Sequence, residues 1–303
     1  MPRISRPPPS LPRIRIGTSG WSYDDWKEIV YADAGHVDLL SYMTRYVDAL
    51  EINASFYRDV APSTAEGWLT RIERVPDFRF TAKLHQRFTH QRPEPFDPAD
   101  AARALAGFEP LRQANRLGAL LAQFPWSFRD EPSHRQWLQR IRDAFDCCPL
   151  VIELRHDSWL HDEPLSFLKS LGVGFCNIDQ PGHAHCIPPT ELVLSTVAYV
   201  RLHGRNHARW FDHEDASERY DYLYTDQELD EWVPRIRRIA EQAETGFVFT
   251  NNHFRGQALV NALELMAKLA GDRVLVPPGL LDHYPDLGRI AQPVERERQG
   301  RLF

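Results

Sequence analysis

Eight short apolar runs, each followed by helical periodicity or by turn signals, recur along the chain and limit its fold more than any other feature. They cover 13–18, 48–53, 78–84, 117–124, 150–155, 173–179, 198–203 and 246–251. Strand signals that alternate with helix signals build βαβ units, and hence a parallel sheet. Eight such units predict closure, so the expected fold class is α/β: a single TIM-like (β/α)8 barrel of eight parallel strands. The length of 303 residues is compatible with one domain, because barrels of roughly 250 residues are routinely single. The expected division is a disordered proline-rich arm over 1–12, the barrel domain over 13–271, and a C-terminal extension and tail over 272–303.

The segments between the runs carry helix punctuation. Val37, Leu40 and Val47 share one side of a helix after the first strand. Ser63-Thr64-Ala65-Glu66 and Thr225-Asp226-Gln227-Glu228 read as capping boxes, and Asp97-Pro98 as an N-cap followed by proline at N1. Gly172 and Gly271 sit where a helix would end in a left-handed residue. Two places fit the rhythm poorly. The stretch 180–197 leaves little room for a helix and holds Pro188-Pro189, and Pro234 predicts a kink or a late start in the helix near Asp226. The unit after His203 carries an acidic, tyrosine-rich loop over 205–224.

Composition removes several function classes. The net charge of −6 argues against bulk binding to duplex DNA or to an anionic membrane, which confines any nucleic-acid contact to a local patch. No stretch approaches the roughly 18 apolar residues that span a bilayer, and the basic, proline-rich start has no apolar signal region, so no membrane partner is expected. Cys147, Cys148, Cys176 and Cys186 include no C-x-x-C pair, which predicts neither a disulfide framework nor a thiolate zinc site, and points to a reducing cytoplasm.

Chemistry in a barrel gathers at the loops after the strands. The strand ends carry Glu51 and Asn53; Lys83 and His85; Gln123; Glu153 and Arg155; Asn177 and Asp179; Arg201 and His203; and Asn251, Asn252 and His253. Residues two apart on a strand share a face. Turned outward, these charges would lie under the helices at several kcal/mol for an unpaired ion, so they are expected to turn inward at the mouth. Glu51, Lys83, Glu153, Arg155, Asp179 and Arg201 are therefore predicted to form one cluster, three acids against three bases. The competing expectation is a salt-bridge network that only plugs the barrel. Trp21, Tyr23, Trp26, Phe56, Tyr57, Trp126, Phe128 and Trp159 surround the strand ends and could stack on a ligand or fold over the core; Trp21 and Tyr57 are expected at the mouth. Gly17-Thr18-Ser19-Gly20 lacks the Walker spacing and lysine, no G-x-S-x-G elbow is present, Cys176 reads as a core residue, and His183, His185 and Cys186 read as incidental.

Gly17-Thr18-Ser19-Gly20-Trp21-Ser22-Tyr23 with Trp26, and Glu51-Ile52-Asn53-Ala54-Ser55-Phe56-Tyr57, resemble the YecE-like family, also called domain of unknown function seventy-two. Lys83 with Thr89-His90, Gln123-Phe124-Pro125, Glu153-Leu154-Arg155 with Ser158-Trp159, Arg201-Leu202-His203-Gly204, Tyr220 with Tyr222, and Asn251-Asn252-His253 with Gly256 and Ala258 extend the resemblance from about Ile14 to Ala270. It implies a barrel and supplies no reaction.

Three functions remain open. A metal-assisted hydrolase would use Glu51, His85, Glu153, Asp179 and His203 as ligands for a divalent metal of unread identity, with Lys83, Arg155 and Arg201 on phosphate. An acid/base hydrolase or isomerase acting on a polar sugar- or phosphate-containing substrate would take its catalytic groups from Glu51, Lys83, Glu153, Asp179 and His203. Its substrate contacts would come from Trp21, Tyr23, Asn53, Tyr57, Gln123, Arg155, Trp159, Arg201, Asn251 and Asn252. A binding protein without turnover would hold an anionic or nucleic-acid ligand through the same arginines and aromatics.

Overall fold

The computed structural model describes residues 14–207 and 218–293. The expected arm over 1–12, the middle of the acidic loop and the end of the tail lie outside the described residues. Each of the eight runs holds one strand: β1 (Ile14–Ser19), β2 (Ala49–Ile52), β3 (Arg79–Lys83), β4 (Leu117–Gln123), β5 (Leu150–Glu153), β6 (Gly174–Asp179), β7 (Val197–Leu202) and β8 (Thr245–Thr250). They pair in parallel in chain order, and β8 returns to β1 with Gly17 opposite Phe249, so the sheet is a closed barrel.

The helices are α1 (Leu39–Met43), α2 (Pro62–Ile72), α3 (Pro98–Gln113), α4 (Pro132–Ala144), α5 (Asp162–Ser170), α6 (Asp226–Gln242), α7 (Gln257–Ala270) and α8 (Pro278–His283). Local chemistry explains several of their ends. The Asp97 carboxylate accepts from the Ala99 N–H and Pro98 opens α3. Thr225 and Glu228 cap α6 reciprocally. Gly271 closes α7 at φ +67°, a conformation that costs glycine little. Ser63 does not cap α2. The helix starts at Pro62 with Ala61 as N-cap, because a proline at N1 comes preset to helical φ and needs no donor. Pro234 does not delay α6, which runs from Asp226 to Gln242 as one element. As the sequence suggested, no helix follows β6. The chain over 180–196 crosses without one.

The core has two parts. Inside the barrel, Tyr199 packs on Phe249 at 5.5 Å and exchanges a hydrogen bond of 2.7 Å with Thr81. Outside it, Trp232, Ile236 and Ile239 of α6 and Leu265 and Leu269 of α7 cover Ala198, Val200, Ile16 and Val248. No helix among the described residues is long and apolar enough to cross a membrane.

Candidate active site at the barrel mouth

Parallel register sets the site. Ser19 lies opposite Glu51 on the β1–β2 pair, and Gln123 opposite Glu153 on the β4–β5 pair. Arg201, on β7, reaches across to both. Its Nη2 donates to Ser19 Oγ at 2.9 Å and to Glu51 Oε1 at 2.8 Å. Its Nη1 donates to Gln123 Oε1 at 3.0 Å and to Glu153 Oε2 at 2.6 Å. Glu51 also accepts from Ser19 Oγ and, through Oε2, from the Tyr199 hydroxyl at 2.7 Å. All three charged side chains, Glu51, Arg201 and Glu153, have no solvent exposure. Burial pushes the Glu153 carboxyl up, but the Arg201 and Arg155 guanidiniums outweigh it and hold the group well below the usual carboxylate range. Burial disfavours the charge on Arg201, and the two glutamates more than restore it. Ser19, Glu51, Gln123, Glu153 and Arg201 thus form one hydrogen-bonded floor, in which Arg201 Nε alone of the guanidinium nitrogens finds no partner among the described residues.

A second tier sits toward the opening. Arg155 donates to Glu153 Oε1 from Nη2 at 2.6 Å and from Nε at 3.1 Å, and 13% of its side chain stays exposed. His203 is fully buried, with Asn251 Nδ2 at 3.0 Å from Nδ1 and Glu153 Oε1 at 3.4 Å from Nε2. Burial carries its imidazole down to about 3, so it is neutral at physiological pH. Tyr23 donates its hydroxyl to the Ser19 carbonyl, receives Asn53 Nδ2 at 3.4 Å, and stacks on His253 at 4.3 Å. Lys83 is half-buried, with its Nζ 5.9 Å from the centre of the Phe56 ring. Burial first, then the charge of Arg201, brings its ammonium down to about 8.

The mouth therefore gathers Glu51, Lys83, Glu153, Arg155, Arg201, His203, Gln123, Asn53, Tyr23 and Asn251. Asp179 does not join them. On β6 it is Cys176 that faces inward, 3.9 Å from Glu153 Oε2, while Asn177 and Asp179 face the helix layer. Asp179 accepts from Arg205 at 2.9 and 2.8 Å and from Trp232 Nε1 at 2.5 Å. The outward carboxylate is paired, which removes the cost that favoured an inward position. Asn252 also faces outward, donating to the Tyr222 carbonyl at 2.7 Å and to Asn261 Oδ1 at 2.8 Å. Trp159 is fully buried, stacked at 5.7 Å on Phe128 with its indole N–H on the Phe128 carbonyl. Trp21 is half-buried and packs edge-on against Trp68 of α2 at 5.9 Å. Tyr57 is 71% exposed.

His90, part of the Thr89-His90 motif, has no role readable from the sequence. It lies 5.0 Å from the Phe56 ring, and burial, then Arg155 and Lys83, lower its basicity. These couplings place it beside the mouth, and a five-residue π-type turn after His85 (Arg87–Gln91), which has no apolar periodicity, brings it there.

The ligand set drawn for a divalent metal does not assemble. Asp179 faces the helix layer, and His85 bonds to the Tyr57 carbonyl at 3.2 Å and to Arg87 at 3.0 Å. The glutamate oxygens that remain already receive guanidinium and hydroxyl donors, so a dication there would meet two arginines and a lysine. Among the described residues, His156, Asp157 and His185 are the group whose donor atoms approach within 4.8 Å of one another. They lie on the loops after β5 and β6, and His185 comes from the stretch that the sequence marked as incidental.

The chain is similar to the UPF0759 protein YunF of Bacillus subtilis (strain 168), 28% identical over 288 residues that cover 89% of this chain and all of that protein. A DUF72 family protein from Thermotoga maritima MSB8 superposes with a TM-score of 0.74 at 31% identity, covering 85% of this chain and 99% of the other. One from Enterococcus faecalis V583 has a TM-score of 0.75 at 24% identity, with 87% and 98% covered, and supports the fold alone. The model of the family described as "Protein of unknown function DUF72" matches residues 15–282, and the chain belongs to that family.

Proposed function

We propose that the barrel mouth is the active site of an enzyme that performs acid/base chemistry, a hydrolysis or isomerisation, on a small anionic substrate bearing a carboxylate or phosphate. One observation carries this reading. Without Asp179, the mouth sets Glu51 and Glu153 against Arg155, Arg201 and Lys83, two acids against three bases. An excess charge in a half-buried, low-dielectric mouth attracts an anion. Arg155, tethered through Glu153 and still partly exposed, would hold that anion, and its planar fork suits carboxylate or phosphate.

Lys83 would carry the proton. A group that titrates near the working pH is the most effective proton carrier, and Lys83 at about 8 meets that condition. Glu51 and Glu153, committed to Arg201, would position rather than react. A binding protein without turnover would need Arg155 but not a titrating Lys83. The net charge of −6 favours a small anion over a nucleic acid, and four free thiols fit a reducing cytoplasm.

The test is thermal unfolding with inorganic phosphate or with simple carboxylates. A ligand at a hundred times its Kd adds about 2.7 kcal/mol to stability. The expected result is a saturable rise in Tm for the wild type and none for Arg155→Met. No rise with any small anion refutes the reading.

A further inference from the structure

We propose that Lys83 forms a covalent imine with a small aldehyde or ketone that carries a carboxylate or phosphate, the anion resting on Arg155. The inference rests on reading the mouth as an anion site, and it adds a bond and a carbonyl to the substrate class.

The geometry singles out this amine. Lys83 ends β3 inside the mouth, and no hydrogen bond or ion pair holds its Nζ among the described residues; the Phe56 ring lies beside it. Both nearby carboxylates are already satisfied. Glu51 receives Ser19, Arg201 and Tyr199, and Glu153 receives Arg201 and Arg155. A lysine that served only to balance charge would sit on one of them, as Lys27 sits on Asp24 at 2.7 Å and Lys268 on Asp226 and Asp230 at 2.8 Å.

Residue choice points the same way. The chain has only four lysines, Lys27, Lys83, Lys169 and Lys268, against 32 arginines. The mouth's fixed charges, Arg155 and Arg201, are arginines, which do not release a proton in proteins. The one amine stands where it can be free, because burial and the adjacent arginines favour its neutral form. A desolvated lysine beside another cation is the usual way to activate an amine as a nucleophile.

The step balances without an oxidant or reductant. The free amine adds to the carbonyl carbon, a C=N bond replaces C=O, and the oxygen leaves as water with both amine hydrogens. Reversal needs only water.

The experiment treats the full-length protein with glyoxylate, an aldehyde that carries a carboxylate, and traps any imine with borohydride at pH 8. Peptide mass mapping then compares the four lysines. At that pH an amine titrating near 8 has roughly a hundredfold more free base than an ordinary lysine. The expected result is trapping at Lys83 at least tenfold faster than at Lys169, slowed by inorganic phosphate, and lost in Lys83→Arg with Tm unchanged. Arg155→Met should lose the preference for glyoxylate over uncharged propionaldehyde at Lys83, and removing its charge should also slow trapping of both. If neither aldehyde is trapped at Lys83 faster than at Lys169, the imine is refuted. The anion site still stands in that case if phosphate raises Tm. Equal trapping of both aldehydes by the wild type, with no protection by phosphate, overturns the anionic substrate class and the anion site together.

Discussion

Arg201→Met is the sharpest perturbation of the floor. The substitution removes four donor contacts at once, those to Ser19, Glu51, Gln123 and Glu153 at 2.6–3.0 Å. Glu153 keeps Arg155, so Glu51 becomes the uncompensated buried charge, with only the Ser19 and Tyr199 hydroxyls beside it. Removing one partner of a buried ion pair costs about 3–5 kcal/mol. For a chain of this length, with about 2 cal/mol/K of unfolding entropy per residue, ~4 kcal/mol lowers Tm by roughly 7 °C. Urea unfolding followed by tryptophan fluorescence measures the loss directly. pH sharpens the test. In the wild type Glu153 is depressed, so its contribution is full above the unfolded value near 4.3 and falls away as pH drops through and below it. In the variant Glu153 loses the larger of the two charges that depress it, so the deficit should shrink as pH falls below about 4.3. Adding Glu51→Gln to Arg201→Met should recover about half of the loss. A deficit under ~1 kcal/mol at pH 7.5, or one that grows as pH falls, refutes the view of Arg201 as the buried counter-ion of two carboxylates.

Two further tests separate the outer and inner polar groups. Arg205→Met should cost about 2–3 kcal/mol, because Asp179 is almost fully buried, yet leave stabilisation by phosphate unchanged; unchanged Tm with lost phosphate binding would return Asp179 to the site. His203, held down to about 3 by burial, should show no imidazole titration by NMR between pH 5 and 8. Because folding resists its protonation, its contribution is full above the unfolded value near 6.5 and declines as pH falls from there toward 3; a midpoint near 6 in the folded protein contradicts this.

The barrel was legible because its strands are buried on both faces and read as near-continuous apolar runs, which no other element imitates eight times. The inward positions of Glu51, Lys83, Glu153, Arg155, Arg201 and His203 followed from spacing by two and from the cost of an outward charge. The same reasoning misplaced Asp179. Asn177 and Asp179 do share a face, as spacing required, but which face was decided by Arg205 and by Trp232 of α6, partners 26 and 53 residues away in the chain. Pairing across such a distance leaves no local trace. Trp159 and Trp21 show the same limit: an aromatic after a strand can turn over the core or toward solvent with identical local sequence. His90 received no role because the turn that carries it has neither helical nor strand periodicity.

The reach of Arg201 also bears on how the molecule comes together. Its four acceptors all belong to the first five strands, and the guanidinium arrives on the seventh, 48 to 182 residues later in the chain. An intermediate that has closed only β1–β5 would shelter two carboxylates with no cation between them, and water is then their better partner. The early strands are thus kept from settling into a dry half-barrel, and the last part of the chain completes the interior of the first. Closing the ring therefore brings in the group that neutralises its centre.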